Sequence, residues 1–330
     1  MRFVSNKGIT DPTLNLALEE YILRSLPDND DYLLFYINEP SIIIGKNQNT
    51  VEEINAEYVE SNGLHVVRRL SGGGAVYHDF GNLNFSFIMK DDGKSFHNFK
   101  KFTEPVVRAL QGLGVDAEMT GRNDLQVGER KISGNAQFST KGKMFSHGTL
   151  LFDSEIDNVV SALKPNAEKY VSKSTKSIRS RVANITEFLK EPMTVEQFRQ
   201  RLLHSIFEQA EEIPFYELSN QDWDNVHKLA NERYRSWEWN YGRSPAFNVQ
   251  QKKRIEGAGT FDVRLQVQDG IIVDAAIFGD FFGRGDSKEV ALQLIGTRYE
   301  SSALKQLLEG IDLSFYFGPV SKEDWLELLL

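Results

Sequence analysis

Apolar positions recur along this chain with two different spacings, and each change of spacing marks the start of a new element. After Asp11-Pro12, residues Leu14, Leu18, Tyr21 and Ile22 share one helical face, with Asp11 as N-cap and Pro12 at the first helical position. YLLFYIN (32–38) and SIIIG (41–45) are short β-rich runs separated by a Glu-Pro turn, and they read as adjacent strands. INAEYVESN predicts a brief helix before LHVVRR, NLNFSFIMK a strand, FKKFTEPVVRALQGLG a helix ending on Gly112 and Gly114, and VDAEM a further strand. From 124 to 153 the pattern becomes hairpin-like, with β-prone runs divided by Gly-Glu and Lys-Gly turns. The pattern predicts a mixed α/β domain containing antiparallel pairs.

Beyond Asp153 the helical spacing dominates, in SEIDNVVSALK, TVEQFRQRLLHSIFEQA and NQDWDNVHKLANERYRS. WEWNYGRSPAFNVQQKK (237–253) breaks that pattern with Gly and Pro, which places a boundary near 245–252 and predicts domains at 1–248 and 249–330. The second of these alternates β and α again. RIEGAGTFDVRLQVQDGIIVDAAIFGD reads as a meander, and KEVALQLIG and SSALKQLLEG as helices of a small α/β accessory domain.

Composition narrows the functional classes. With 330 residues, 40% of them hydrophobic and 26% charged, the chain can build one large core and a smaller one and has no disordered character. No run of about 18 apolar residues is present to span a bilayer. The first residues lack the apolar stretch of a secretory signal, so the expected compartment is the cytoplasm. There is no cysteine, which removes disulfides, thiolate zinc sites and cysteine nucleophiles. A net charge of -9 argues against sequence-independent nucleic-acid binding. KSTKSIRSR (173–181) is a basic run that reads either as a solvated loop or as a local docking surface.

Candidate chemistry concentrates in RRLSGGGAVYHDFGN (68–82). Gly72, Gly73 and Gly74 permit positive φ and close approach, so backbone N–H groups there can converge on an anion, with Arg68 and Arg69 as sources of positive charge. A plain glycine turn is the alternative. Neither a P-loop nor a dinucleotide fingerprint fits. GRNDLQVGERKISGNAQ (121–137) follows with Asn123, Asp124 and Lys131, and FSHGTLLFD (145–153) with His147. Strand alternation leaves open whether Lys131 faces solvent or a cleft.

In that order and spacing, these three segments resemble the motifs of lipoate-protein ligases, and SIIIGKNQN (41–49) also suits that family. The resemblance covers essentially the whole chain. It implies an α/β (α+β) fold: a mixed-sheet catalytic domain like that of biotin- and lipoate-protein ligases, followed by the smaller C-terminal accessory domain of the longer ligases. It implies a ligase that uses ATP and Mg²⁺ to convert lipoate to lipoyl-AMP, then passes the acyl group to a lysine of a lipoyl domain. The expected acceptors are the lipoyl domains of 2-oxoacid dehydrogenase complexes or the glycine cleavage H protein, with no nucleic acid or membrane involved.

By the same resemblance Lys131 bridges the acyl carbonyl and the phosphate, and Arg69 and Ser71 lie at the nucleotide and acyl-phosphate. Gly74, Ala75, Val76 and Tyr77 run as backbone along the adenylate. Asn123 and Asp124 match a polar pair near the phosphates, with Asp124 assigned to Mg²⁺. His147 reads as a base, an adenylate contact or a structural histidine, and His78 either orients the glycine segment or packs at its end. Ile42, Ile43, Ile44 and Val67 are candidate walls for the acyl tail, whose burial of some seven carbons is worth roughly 5 to 6 kcal/mol at about 0.8 kcal/mol each. In the resembling ligases the accessory domain moves between the two steps, so WEWNYGRSPAF is a candidate hinge, a fixed linker being the alternative.

Three rivals remain to be weighed. An octanoyltransferase of the same fold needs a cysteine nucleophile, and none is present. A biotin-protein ligase needs a Gly-Arg-Gly-type loop that the chain lacks. A non-catalytic lipoyl-domain-binding protein would not need Arg69, Ser71, Asp124 and Lys131 together.

Overall fold

Helix Pro12–Ser25 begins where Asp11 and Pro12 place it: Asp11 has an extended backbone, and its carboxylate accepts a hydrogen bond from Thr13 N at 2.8 Å. The computed structural model describes residues 1–27, 29–163, 181–208, 210–241, 249–268, 270–299 and 301–330. Within these the chain divides into two units. The larger comprises Met1–Ile44, Val51–Arg68 and Val76–Asn240, and the smaller Gly45–Thr50, Arg69–Ala75 and Tyr241–Leu330. All of KSTKSIRSR except Arg181, and residues 242–248 of the candidate hinge, lie outside the described residues.

The larger unit is built on a mixed sheet. Its strands are β1 (Arg2–Ser5), β2 (Tyr32–Ile37), β6 (Asn82–Lys90), β7 (Glu118–Thr120), β8 (Asp124–Val127), β9 (Arg130–Thr140), β10 (Lys143–Leu151) and β11 (Phe215–Tyr216). They lie in the order β11-β1-β2-β6-β10-β9-β8-β7. β1 is parallel to β2 and β11, and every pairing from β2 through to β7 is antiparallel. A second, small sheet has β3 (Ser41–Ile44) between β4 (His65–Arg68) and β5 (Val76–His78).

β2 and β3 are therefore not neighbours, contrary to the expectation from their hydrophobic runs. Pro40 holds Glu39 away from the helical region and the connection is not a tight reversal, so the chain leaves the large sheet and β3 pairs parallel with β4 instead. Ile42, Ile43, Ile44 and Val67 are all buried in that second sheet.

One face of the large sheet carries Leu33, Phe35, Leu83, Phe85 and Phe87, packed in one core with Phe102, Val106 and Leu110 of helix Phe99–Gly112 and with Phe198 and Leu202 of helix Val195–Ile206. Helix Pro12–Ser25 packs against β2, β6 and β10, and also against helix Asn220–Leu229 and the π-turn Ala230–Tyr234. Covered from two directions, it buries acidic residues as well as apolar ones. Glu20 is 1% exposed and receives hydrogen bonds from Arg24 Nε (2.6 Å), Tyr234 Oη (2.8 Å) and Arg233. Burial, together with this carboxylate, pushes the Tyr234 hydroxyl well above its ordinary pKa.

The smaller unit is a meander of β12 (Val249–Ile255), β13 (Gly259–Gln268) and β14 (Ile271–Gly279) with helices packed against β14 and β12. Its core is aromatic: Phe261 stacks on Phe281 at 4.7 Å, and Phe317 and Trp325 meet both or one of them edge-on. Beyond the helices expected from sequence, Leu313–Phe317 and Lys322–Leu329 are also helical.

The Glu20 cluster yields a stability prediction. Glu20→Ala leaves buried or half-buried cationic donors and a tyrosine hydroxyl without their acceptor, and should destabilise the chain by about 3 kcal/mol in urea unfolding. Glu20→Gln keeps an acceptor oxygen and should lose clearly less.

Candidate functional site

Lys131 lies near the start of β9, in the hairpin that the sequence marks by its Gly-Glu turn. Asp124 pairs with Gly134 across the ladder and Gln126 with Lys131, and a register shift between Leu125 and Gln126 lets Lys131 and Asp124 meet. Lys131 Nζ lies 2.9 Å from Asp124 Oδ1, with the two side chains 39% and 31% exposed. The next residue, Ile132, is fully buried in the core, so Lys131 points to the opposite face of the strand. That answers the question left by periodicity: the ammonium is half-exposed and paired.

The backbone of Lys131 is held on its other edge as well. Its N–H donates to Arg181 O at 2.7 Å, and its carbonyl accepts from Ala183 N at 3.0 Å. Asn123 ties down the other arm of the hairpin, its Nδ2 donating to Asn135 O at 2.5 Å while its carbonyl accepts from Asn135 N at 2.9 Å. The result is a rigid platform carrying an ion pair at its surface. A pair this exposed contributes at most about 1 kcal/mol to stability.

The two predicted histidines sit in buried polar networks of the same unit. His147, on β10, faces Glu19 through Nδ1 at 2.9 and 3.1 Å and packs against the Phe145 ring at 4.7 Å. Glu19 was not legible from sequence, because Glu-Glu in an amphipathic helix ordinarily marks the solvent face. His78 faces Asn38 Nδ2 at 3.0 Å, at the end of a chain Asn6–Asn15–Asn38. If the Asn38 amide donates there, the His78 proton resides on Nε2. Val76, Tyr77 and His78 pair with Ile43, Ile42 and Ser41.

The glycine segment belongs to the smaller unit and departs from the expected cradle. Arg69 folds back onto it: Nε donates to Ser71 Oγ at 3.0 Å, and Nη2 donates to the carbonyls of Gly72 and Gly74 at 2.6 and 2.8 Å. Gly73 alone of the three has a left-handed backbone, with φ +89°, and a Cβ there would stand 2.8 Å from the Phe282 ring. Lys46 N donates to Ser71 O at 2.8 Å and Gly279 N to Asn47 O at 2.6 Å, so GKNQN runs beside the glycine segment in the same unit. Burial lowers the Lys46 ammonium below its ordinary pKa.

Arg68 does not serve the segment. It stays in the larger unit, where Nε donates to Trp239 O at 2.9 Å while its own carbonyl accepts from Trp239 Nε1 at 2.7 Å. Burial brings its pKa down to about 10.

The structure thus brings Lys131, Asp124 and Asn123 together and keeps His78 and His147 in the same unit, while Arg69, Ser71, Gly74 and Ala75 belong to the smaller unit. Among the described residues no group of three or more His, Asp and Glu side chains is arranged to hold a metal ion, and no helix is long and apolar enough to cross a membrane.

Residues 11–207 match the family model described as the lipoyl protein ligase A/B catalytic domain, and residues 244–329 match the bacterial lipoate protein ligase C-terminus. The chain is 60% identical over 331 aligned positions to lipoate-protein ligase LplJ of Bacillus subtilis, with 100% of both chains covered. Among solved structures it resembles that of a bi-partite lipoate protein ligase and its E2 lipoyl domain from Thermoplasma acidophilum. The TM-score there is 0.65 at 34% identity, over 75% of this chain and 98% of the other. It also resembles a lipoate-protein ligase A bound with ATP, at TM-score 0.63 and 30% identity over 73% of this chain and 98% of the other.

The contrast between neighbouring glycines is testable. Gly73→Ala forces a side chain into a left-handed backbone against Phe282 and should destabilise the chain by about 1 to 3 kcal/mol. At Gly74 a Cβ meets nothing within 4 Å. Gly74→Ala should therefore shift the denaturant midpoint very little.

Proposed function

The chain belongs to the lipoate-protein ligase family, and we infer from that membership that it activates lipoate with ATP and transfers the lipoyl group to a lysine of a lipoyl domain. In the first step a lipoate carboxylate oxygen attacks the α-phosphorus of ATP, the new O–P bond forming as the bridge to pyrophosphate breaks. In the second, the acceptor amine attacks the acyl carbon, the C–N bond forms, AMP departs, and the nitrogen's surplus protons pass to solvent.

The observation that carries the reading is the half-exposed Lys131–Asp124 pair on a strand bonded along both edges. At the phosphorus transition state negative charge increases, and a fixed ammonium gains more there than in the ground state. At about 4 Å and an effective dielectric near 20 the attraction is on the order of 4 kcal/mol before desolvation is subtracted. Entry of the anionic adenylate lets Lys131 exchange the Asp124 carboxylate for phosphate and acyl oxygens. Mg²⁺ enters with the triphosphate as part of the substrate, and Asp124 is the carboxylate we assign to it. A hard ion held mainly by phosphate and water needs only one or two protein carboxylates.

We assign Asn123 to the phosphates and Arg69 and Ser71 to the nucleotide and acyl-phosphate. The backbone from Gly74 to Tyr77 follows the adenylate, and His78 and His147 are contacts oriented by Asn38 and Glu19. Absence of cysteine removes the nucleophile on which the octanoyltransferase reading depends. The proposed acceptors are lipoyl domains of 2-oxoacid dehydrogenase complexes or the glycine cleavage H protein, and the proposed compartment is the cytoplasm.

Lys131→Ala should retain wild-type unfolding behaviour while lipoate-dependent exchange of pyrophosphate into ATP falls by on the order of 10²-fold. Exchange near the wild-type rate in that variant would remove Lys131 from the mechanism.

A further inference from the structure

The two faces of the large sheet differ. Phe85 and Phe87 of β6 point into the core, while Asn84 and Ser86, which alternate with them, point to the other side. On that side Asn84 stands opposite Thr149 of β10, and Ser86 opposite His147. Ala136 of β9 continues the Ser86 row beyond His147, and Leu34 of β2 flanks Ser86 on its other edge. Gly134, whose N–H donates to Thr149 Oγ1 at 3.2 Å, continues the Asn84 row. The Lys131 ammonium lies over this glycine, where a Cβ would stand 3.1 Å from Nζ. Helix Pro12–Ser25 covers the same face, because His147 meets Glu19 there.

Ser86 is out of keeping with its surroundings. Its side chain is buried, at 0% exposure, and its hydroxyl has no hydrogen-bond partner among the described residues, although His147 stands directly across from it. A buried hydroxyl without a partner costs free energy, so stability alone favours alanine at this position. The small side chains of Ala136 and Gly134 beside it do not by themselves define a site. The unpartnered hydroxyl in their midst points to a ligand that bonds to it.

The position of Ser86 relative to Lys131 identifies that ligand. From Gly134 to Ser86 is two strand spacings across the sheet and one side-chain repeat along it, on the order of 12 Å. An extended lipoyl chain has this reach when its carboxylate meets the Lys131 ammonium. The chain itself is hydrocarbon, and beyond the carboxylate the ring sulfurs are the only atoms of lipoate that accept a hydrogen bond. The acyl chain then lies on the large sheet, whereas Ile42, Ile43, Ile44 and Val67 stay in the second sheet.

We propose that Ser86 is a specificity residue of the acyl site, its hydroxyl donating to a sulfur of the lipoyl ring. The proposal rests on the ligase reading and specifies how the acid substrate is distinguished from a plain hydrocarbon acid. An O–H···S bond is weak, so the hydroxyl biases selection among acids and takes no part in bond making.

The test uses acid-dependent pyrophosphate exchange by the full-length protein, with lipoate and with its cyclopentyl analogue, in which CH₂ groups replace the ring sulfurs. Wild type should favour lipoate in kcat/KM. In Ser86→Ala the ratio of the two kcat/KM values should fall about threefold to fivefold, while the denaturant midpoint stays at or above that of wild type. Ser86→Thr, which keeps a hydroxyl, should hold the wild-type ratio. An unchanged ratio in Ser86→Ala overturns the proposal. So does an equal loss with both acids, or a lowered midpoint, either of which would make the hydroxyl a part of the fold. Wild-type protein that exchanges pyrophosphate with neither acid overturns the ligase reading, and the proposal with it.

Discussion

The position of Lys131 depends on β9 being bonded along both edges. β10 pairs with its later residues and β8 with its earlier ones, and 181–183 close on Lys131 itself through two further backbone bonds. A lysine on a loop would sample many positions, and holding it for catalysis would forfeit that freedom at each turnover. Here the backbone entropy is lost once, on folding. Only the long side chain remains to be oriented, and Asp124 pairs with its ammonium.

Similar charged pairs do different work in this chain because their surroundings differ. Glu20 is buried as the shared acceptor of Arg24, Arg233 and Tyr234, so removing it strips all three of that partner, and the cluster ties helix Pro12–Ser25 to the π-turn Ala230–Tyr234. Lys131–Asp124 is partly in water, contributes little to folding, and can open. Arg69 is buried and donates to the carbonyls of Gly72 and Gly74 and to the Ser71 hydroxyl, so it holds the loop around its guanidinium. Exposure, more than residue type, separates the buried Glu20 cluster from the Lys131–Asp124 pair.

Much of this was legible in the sequence. The Asp11-Pro12 start, the strand Asn82–Lys90 and the run of antiparallel strands from Asp124 to Leu151 follow from local rules of capping, alternation and turn chemistry. The order of the three motifs pointed to the family that the matches then established. What escaped was non-local. β1 and β11 are too short to carry a period, and β2 and β3 look like partners until their real neighbours are known. The burial of Glu19 and Glu20 was not predicted, because a helix covered on two sides breaks the usual amphipathic inference. The glycine segment was expected to gather amides around an anion, whereas its carbonyls gather around Arg69, a choice that side-chain packing makes and spacing does not reveal.

ATP-dependent transfer of a lipoyl group by this chain can be read directly by intact-mass spectrometry of an acceptor. Purified protein, ATP, Mg²⁺, lipoate and an unmodified lipoyl domain are incubated, and the domain is weighed with and without ATP. The domain should gain the mass of one lipoyl group at its acceptor lysine only when ATP is present. A domain that stays unmodified with every component present, or that is modified equally well from free lipoate without ATP, would contradict it.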